Sequence, residues 1–235
     1  PANQKKRVQF AEDHLDWTFE QWIRVFWTEE SSFSTKGFHC RPWVIRLPEE
    51  EYYPDCIDET FDQGRTSRMA WGGFCGQYKT DLFWVPGKVK IDSLEYRDSI
   101  LLPRLIPFWE EMAVAYGPEP VLVVEDGASR HKGHAKRARE AYALPCVQWP
   151  PQSPDLNLIE ALWGDMEVFL GQNWGRAKNE TELLQMCEAA WASISPNRLL
   201  DLCRGMRARL EAVIAAGGKA TPYQVELTKS QLSQT

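Results

Sequence analysis

The chain reads as an α/β protein, a mixed central β-sheet flanked by helices. Strand-like segments come first along the 235 residues, and helix and strand then alternate, an order that suits a sheet covered on its faces by helices. Val121-Leu122-Val123-Val124 is a short β-branched run of the kind buried on both faces of a sheet. With 43% hydrophobic residues and 12% aromatics, the chain can bury a substantial interior and is not a disordered protein.

In chain order, Trp17 to Ile23 fits a short helix or turn, and strands fit Arg24 to Ser34, Trp43 to Leu47, Arg68 to Phe74 and Asp81 to Val85. Ser93 to Tyr116 reads as a long helix that Pro103 and Pro107 kink. The Val121 strand follows, then a helix from His134 to Leu144 and a short strand from Cys146 to Trp149. A helix is expected to open with Ser153 as N-cap and Pro154 at the first helical position. Its apolar positions Leu156, Ile159, Trp163, Met166 and Leu170 recur at three- and four-residue steps, which defines one buried face. Two further helices fit Glu182 to Ser193 and Asn197 to Ala216, the last stopped by Gly217-Gly218. Of the eleven tryptophans, Trp71 and Trp84 sit in strand-like contexts and belong to the core, whereas Trp149 and Trp163 flank the turn into the Glu160 helix.

Two acids stand where chemistry is expected. Glu160 lies beside the apolar face of its helix, and one turn on is Gly164, which leaves the carboxylate uncrowded at a cost of roughly 1 kcal/mol relative to alanine. Asp126, 34 positions earlier, ends the Val121 strand and precedes Gly127. Carboxylates at a strand end and on an adjacent helix can converge at one sheet edge, where hard oxygen donors suit Mg²⁺ or Mn²⁺.

The segment Trp149-Pro150-Pro151-Gln152-Ser153-Pro154-Asp155-Leu156-Asn157-Leu158-Ile159-Glu160-Ala161-Leu162-Trp163, together with Asp126, resembles the second and third motifs of the Tc1/mariner superfamily of DDE transposases. The similarity runs from about residue 7 to residue 172 and includes Trp27-Thr28-Glu29-Glu30-Ser31-Ser32-Phe33 and Met69-Ala70-Trp71-Gly72-Gly73. The resemblance implies an RNase H-like fold, a DNA transposase or DDE endonuclease activity, and a nuclear protein. It implies metal-dependent cleavage of transposon ends followed by strand transfer into target DNA. It also implies Glu29, Asp126 and Glu160 as the catalytic ligands of two Mg²⁺ (or Mn²⁺) ions.

One departure accompanies the match, because Glu29 stands where the family has aspartate. The extra methylene moves the carboxylate by about 1.5 Å, against a tolerance of about 0.5 Å in catalytic constellations. A functional variant, a decayed or domesticated copy and an engineered substitution all remain open. A domesticated, catalytically silent DNA-associated scaffold is therefore the alternative to an active transposase. An RNase H-like nuclease acting on RNA–DNA hybrids is disfavoured by the Pro-Pro-Gln-Ser-Pro-Asp motif. Glu30 is not expected to replace Glu29, since adjacent strand residues face opposite sides. Asp155 and Asn157 are expected to shape the turn and not to bind metal.

The formal net charge of −6 argues against a dedicated nucleic-acid-binding domain, but the basic residues are clustered. Arg130, Lys132, Lys136, Arg137 and Arg139 cluster just after Asp126, where they can neutralise phosphates near the acids, and Arg130, His131, Lys132, Lys136 and Arg137 are the expected contacts to double-stranded DNA. His131 is also a candidate to order the Asp126 loop. Arg204, Arg207 and Arg209 fit a solvated helix face, and Lys5-Lys6-Arg7 is too short for a nuclear signal. The six cysteines show no CxxC pair or zinc-finger spacing and read as reduced packing residues of an intracellular protein. No 18-residue apolar run indicates a membrane span.

The expected organisation is a lead-in segment over 1–23, a catalytic core over 24–175 and a helical segment over 176–235. The 37–66 loop is longer than a hairpin needs and is a candidate for contact with DNA or with a second subunit of a homodimer. Pro1-Ala2-Asn3-Gln4 begins without methionine, and the helix-turn-helix DNA-reading domains that precede the catalytic region in the family are not visible.

Overall fold

The computed structural model describes residues 2–35, 66–87, 91–173 and 177–224. The expected strand Trp43 to Leu47, Cys40, Cys56 and nearly all of the 37–66 loop lie outside them.

The sheet is mixed. Strand β1 (Val25–Ser34) pairs antiparallel with β2 (Ser67–Cys75), Glu29 opposite Gly72 and Glu30 opposite Trp71. On its other side β1 pairs in parallel with β5 (Leu122–Val124), Trp27 beside Val124. Two short strands, β3 (Tyr78–Lys79) and β4 (Phe83–Trp84), complete the β2 edge. The strand expected at Cys146 shrinks to a single parallel bridge with Val123. Its two hydrogen bonds, Val123 N to the Pro145 carbonyl and Val147 N to the Val123 carbonyl, have prolines at 145 and 150 on either side, which have no N–H to extend the ladder.

Side-chain alternation along β1 divides the interior in two. Val25, Trp27 and Phe33 face a core built with α6 (Ile159–Asn173), α7 (Glu180–Ser193), α8 (Pro196–Arg204) and α9 (Met206–Ala215). Phe26 faces a second core with Tyr96, Ile100, Leu101, Leu105, Val123 and Ala135. Trp22, Trp27, Trp163 and Trp191 are buried in the first, whereas Trp71 lies in the second; Trp163 stacks on Trp191 with ring centres 5.4 Å apart and meets Phe33 edge-on at 6.0 Å. At Gly73 a β-carbon would come within 2.7 Å of the Trp27 carbonyl, so glycine there lets β2 lie close against β1.

The long helix expected over residues 93–116 is continuous but not uniform. Regular turns at α3 (Ser93–Tyr96) and α4 (Ile106–Tyr116) enclose wider π-helical turns from Arg97 to Leu105. Pro103 lies within the wide stretch, and the Ile106 N–H reaches back five residues to the Leu101 carbonyl. The next helix, α5, spans Gly133–Ala141.

Three expectations are corrected. The helix opened by Ser153 and Pro154 begins instead at Ile159, after successive turns closed by Leu156 N to Ser153 O, Asn157 N to Pro154 O and Glu160 N to Asn157 O. Ser153 does not cap it, because its hydroxyl accepts from Arg7 at 2.7 Å and the Asp155 carboxylate is held by Arg7 and Thr221. The single helix expected over 197–216 breaks at Gly205 into α8 and α9, since glycine is a weak helix former. The solvated basic face expected of Arg204, Arg207 and Arg209 holds for the first two, but Arg209 is buried and donates to the Asp155 carbonyl at 2.7 Å. Burial pushes its guanidinium down to about 10.

The lead-in segment contains helix α1 (Ala2–Asp13), followed by the short α2 (Phe19–Trp22) that Thr18 and Gln21 cap reciprocally. Phe10, Ala11 and Trp22 join the same core as α6 to α9, so the terminal segments are packed continuously with the sheet.

Candidate active site

The parallel register that sets Trp27 beside Val124 brings Glu29, two residues on, to the level of Asp126. Glu29 shares the β1 face of Trp27, the side covered by α6, and Glu160 lies in the first turn of α6 beside the buried Ile159 and Trp163. Asp126 bears electrostatically on both glutamates. Burial first, then the charges of Glu30 and Asp126, push Glu29 up to about 8. Burial and then Asp126 raise Glu160 as well. A β-carbon at Gly164 would meet nothing within 4 Å, so the space one turn on from Glu160 is open.

Asp126 itself titrates low. Burial would raise it, but His131 and the Ala128 N–H, 2.8 and 2.9 Å from its Oδ1, stabilise the anion. His131 is buried, its Nδ1 on Asp126 and its Nε2 3.4 Å from Glu30 Oε1. Desolvation alone would lower its pKa, yet the two carboxylates lift it to about 10, so the ring is an imidazolium that donates from both nitrogens at neutral pH. The Glu30 side chain is 2% exposed and is also held by Arg130, whose Nη2 lies 3.4 Å from Glu29 Oε1. Burial of Glu30 is outweighed by His131 and Arg130, which keep it ionised. Glu30 thus faces the His131 side while Glu29 faces α6, as strand alternation requires. Behind His131, the Tyr96 hydroxyl donates to Glu125 at 2.6 Å, and Arg139 pairs with the other Glu125 oxygen at 2.6 Å.

Of this inner layer, the roles of Glu30, Tyr96 and Glu125 are what the sequence reading missed, and Arg139, expected among the phosphate-neutralising residues, is instead turned inward onto Glu125. A histidine five residues after the strand-end aspartate was its available signal. The basic group divides: Arg130 and His131 turn toward the acids, whereas Lys132, Lys136 and Arg137 are exposed. Asp155 and Asn157 shape the turn before α6: Asp155 is gripped by Arg7, and the Asn157 amide donates to the Thr28 carbonyl at 3.3 Å.

Hard carboxylate oxygens on three elements, the two glutamates raised first by burial and then by neighbouring acids, are the kind of donor that a divalent cation would take. Among the described residues no three His, Cys, Asp or Glu side chains are gathered closely enough to hold an ion already. Asp126 Oδ1, on which the His131 and Ala128 contacts both fall, is 39% exposed with its side chain.

An RNase H-like sheet with acids on β1, at the end of β5 and on α6 defines a DDE-type nuclease. Residues 102–179 match the family described as DDE superfamily endonuclease. The Tcb1 transposase of Caenorhabditis briggsae is 31% identical over 221 residues, covering 94% of this chain and 78% of that protein. The catalytic domain of Mos1 mariner transposase superposes with a TM-score of 0.69 at 14% identity, over 94% of this chain and 96% of that one. In a Mos1 mariner paired end complex with Mn the corresponding values are 0.71, 14%, 93% and 63%, so the chain spans less than two thirds of that longer protein. The chain belongs to the Tc1/mariner family of DDE transposases and comprises its catalytic domain.

Proposed function

We propose that the chain cleaves transposon-end DNA and joins it to target DNA by metal-dependent phosphoryl transfer. In the first step the oxygen of a water attacks the phosphorus at the transposon end, and the bond to the 3′ oxygen breaks to leave a 3′-hydroxyl. In the second step the oxygen of that hydroxyl attacks a target phosphorus, the bond from that phosphorus to the target's own 3′ oxygen breaks, and the proton lost by the attacking hydroxyl is balanced by the one the departing 3′ oxygen takes up. Glu29, Asp126 and Glu160 would hold Mg²⁺ or Mn²⁺, in a two-ion site. The cations supply Lewis acidity toward the attacking and leaving oxygens. The protein's own part is to fix the carboxylates: His131 orients Asp126, Arg130 restrains Glu29, and α6 presents Glu160 from a packed helix.

The observation that carries this reading is the placement of the three acids: the parallel register sets Glu29 level with Asp126 at the end of β5, and Glu160 lies in the first turn of α6, which packs on the same β1 face. Double-stranded DNA is the substrate, with Lys132, Lys136 and Arg137 on its backbone. A homodimer that synapses two ends and action in the nucleus complete the proposal. The test is cleavage of terminal-repeat DNA with Mg²⁺ or Mn²⁺ by the parent protein, Asp126→Asn and Glu160→Gln. Metal-dependent nicking by the parent alone is expected, and equal nicking by all three overturns the assignment.

A further inference from the structure

The three acid-bearing elements meet at one residue that is not itself an acid. Thr28, immediately before Glu29, donates its hydroxyl to the Val124 carbonyl at 2.9 Å, two residues before Asp126. Its own carbonyl accepts from Asn157 Nδ2 at 3.3 Å, three residues before Glu160. Both residues are 2% exposed. Asn157 is held by its own turn, since Asp155 two residues earlier takes both terminal nitrogens of Arg7, at 2.8 and 2.7 Å, together with the Thr221 N–H and hydroxyl.

We propose that Thr28 and Asn157 are positioning residues of the catalytic site: a two-bond staple that sets the separation of the Glu29, Asp126 and Glu160 carboxylates. The proposal rests on the metal-dependent reading above. Stability alone does not account for Asn157, because its Oδ1 is buried with no partner. A buried acceptor left unmade costs stability, and an apolar side chain of similar size would remove that cost at Asn157 while moving it to the Thr28 carbonyl, so the residue brings little net stability. The polar residue is explained by the bond that its other half makes to β1. Likewise valine fills the volume of Thr28 but cannot donate to Val124. Groups that orient metal ligands typically contribute 10- to 100-fold in metal affinity or activity.

The experiment compares the parent protein with Asn157→Leu, Thr28→Val and Thr28→Ser in three measurements. These are the thermal midpoint, Mn²⁺ affinity from the loss of the free-ion paramagnetic resonance signal, and metal-dependent nicking of terminal-repeat DNA. The expected result is Asn157→Leu near the parent midpoint, the relieved Asn157 Oδ1 offsetting the stranded Thr28 carbonyl, with Mn²⁺ affinity and nicking rate each reduced at least tenfold. Thr28→Val loses affinity similarly, and Thr28→Ser, which keeps the hydroxyl, recovers most of it. Parent-like Mn²⁺ affinity and nicking in both Asn157→Leu and Thr28→Val overturn the staple, as does a loss confined to the thermal midpoint. A parent that neither binds Mn²⁺ nor nicks DNA overturns the functional reading instead, and the staple with it.

Discussion

Glu29 concentrates the chemistry of single residues. Its carboxyl is raised to about 8 by burial, Glu30 and Asp126, so in the metal-free protein it is protonated at neutral pH whereas in the unfolded chain it ionises near 4.5. A folded-state pKa above the unfolded value contributes stability that is complete below about 4.5 and lost as pH rises through about 8. His131, also raised, adds a loss of the same sign at higher pH. The Glu29 share is isolated by comparison: in EDTA, the midpoint of Glu29→Gln is expected to fall less than that of the parent between pH 5 and pH 8, by thermal melts across that range. Parallel curves for the two proteins would show that Glu29 ionises freely. For cleavage the same carboxylate must be charged, so Glu29→Gln should lose about 10²-fold or more, the scale of a catalytic group misplaced by about 1 Å. If Glu29→Asp instead exceeds the parent several-fold, the extra methylene is a defect and not an accommodated variant. The sequence gives the identity of this residue, but its partners Glu30, Arg130 and His131 become visible only when the strand register is known.

At the scale of elements, the turn before α6 depends on contacts remote in sequence. Arg7 on α1 donates to Ser153, Asp155 and the carbonyls of Gln152, Gly218 and Lys219, spanning up to 212 positions. That pair is 3% and 2% exposed, and removing one partner of a buried ion pair typically costs about 3–5 kcal/mol because the other charge is stranded. Arg7→Met and Asp155→Leu are each expected to destabilise by about that amount, while the double variant costs clearly less than the two losses added. Urea denaturation measures all three, and strictly additive losses would mean the pair is not coupled. These contacts explain which elements were legible. The β1, β2 and β5 strands and the buried face of α6 are written in local periodicity, with Ile159, Trp163, Met166 and Leu170 each buried as the spacing requires. Helix α1 is polar apart from a few positions, and its place is fixed by Arg7 and by packing on α9, which no local pattern records. The false helix start at Ser153 has the same origin: the serine hydroxyl that would cap a helix is spent on Arg7 instead.

For the whole molecule, the question is how a chain with net charge −6 approaches a polyanion. The structure sorts its basic residues into two roles. Arg7, Arg139 and Arg209 are committed to interior partners, and Arg130 to Glu29 and Glu30. Lys132, Lys136 and Arg137 stay exposed on and beside α5, immediately after Asp126, with Lys136 only 3.7 Å from Glu140 in a weak surface pair. The motif made the acids legible in sequence, whereas this division was not, since every lysine and arginine of the run looks alike until burial separates them. An exposed basic side chain on a DNA backbone releases about one counterion, so its removal lowers the slope of log affinity against log salt by about one unit without changing sequence preference. Alanine at Lys132, Lys136 and Arg137 should therefore each flatten the slope by about that step, and the triple variant by about three. Fluorescence anisotropy with terminal-repeat and scrambled duplexes over a salt series provides the check. Equal weakening on both duplexes with a flattened slope assigns α5 to the phosphate backbone. Loss on the terminal repeat alone would assign it to base reading, and an unchanged slope would move the DNA path off α5 altogether.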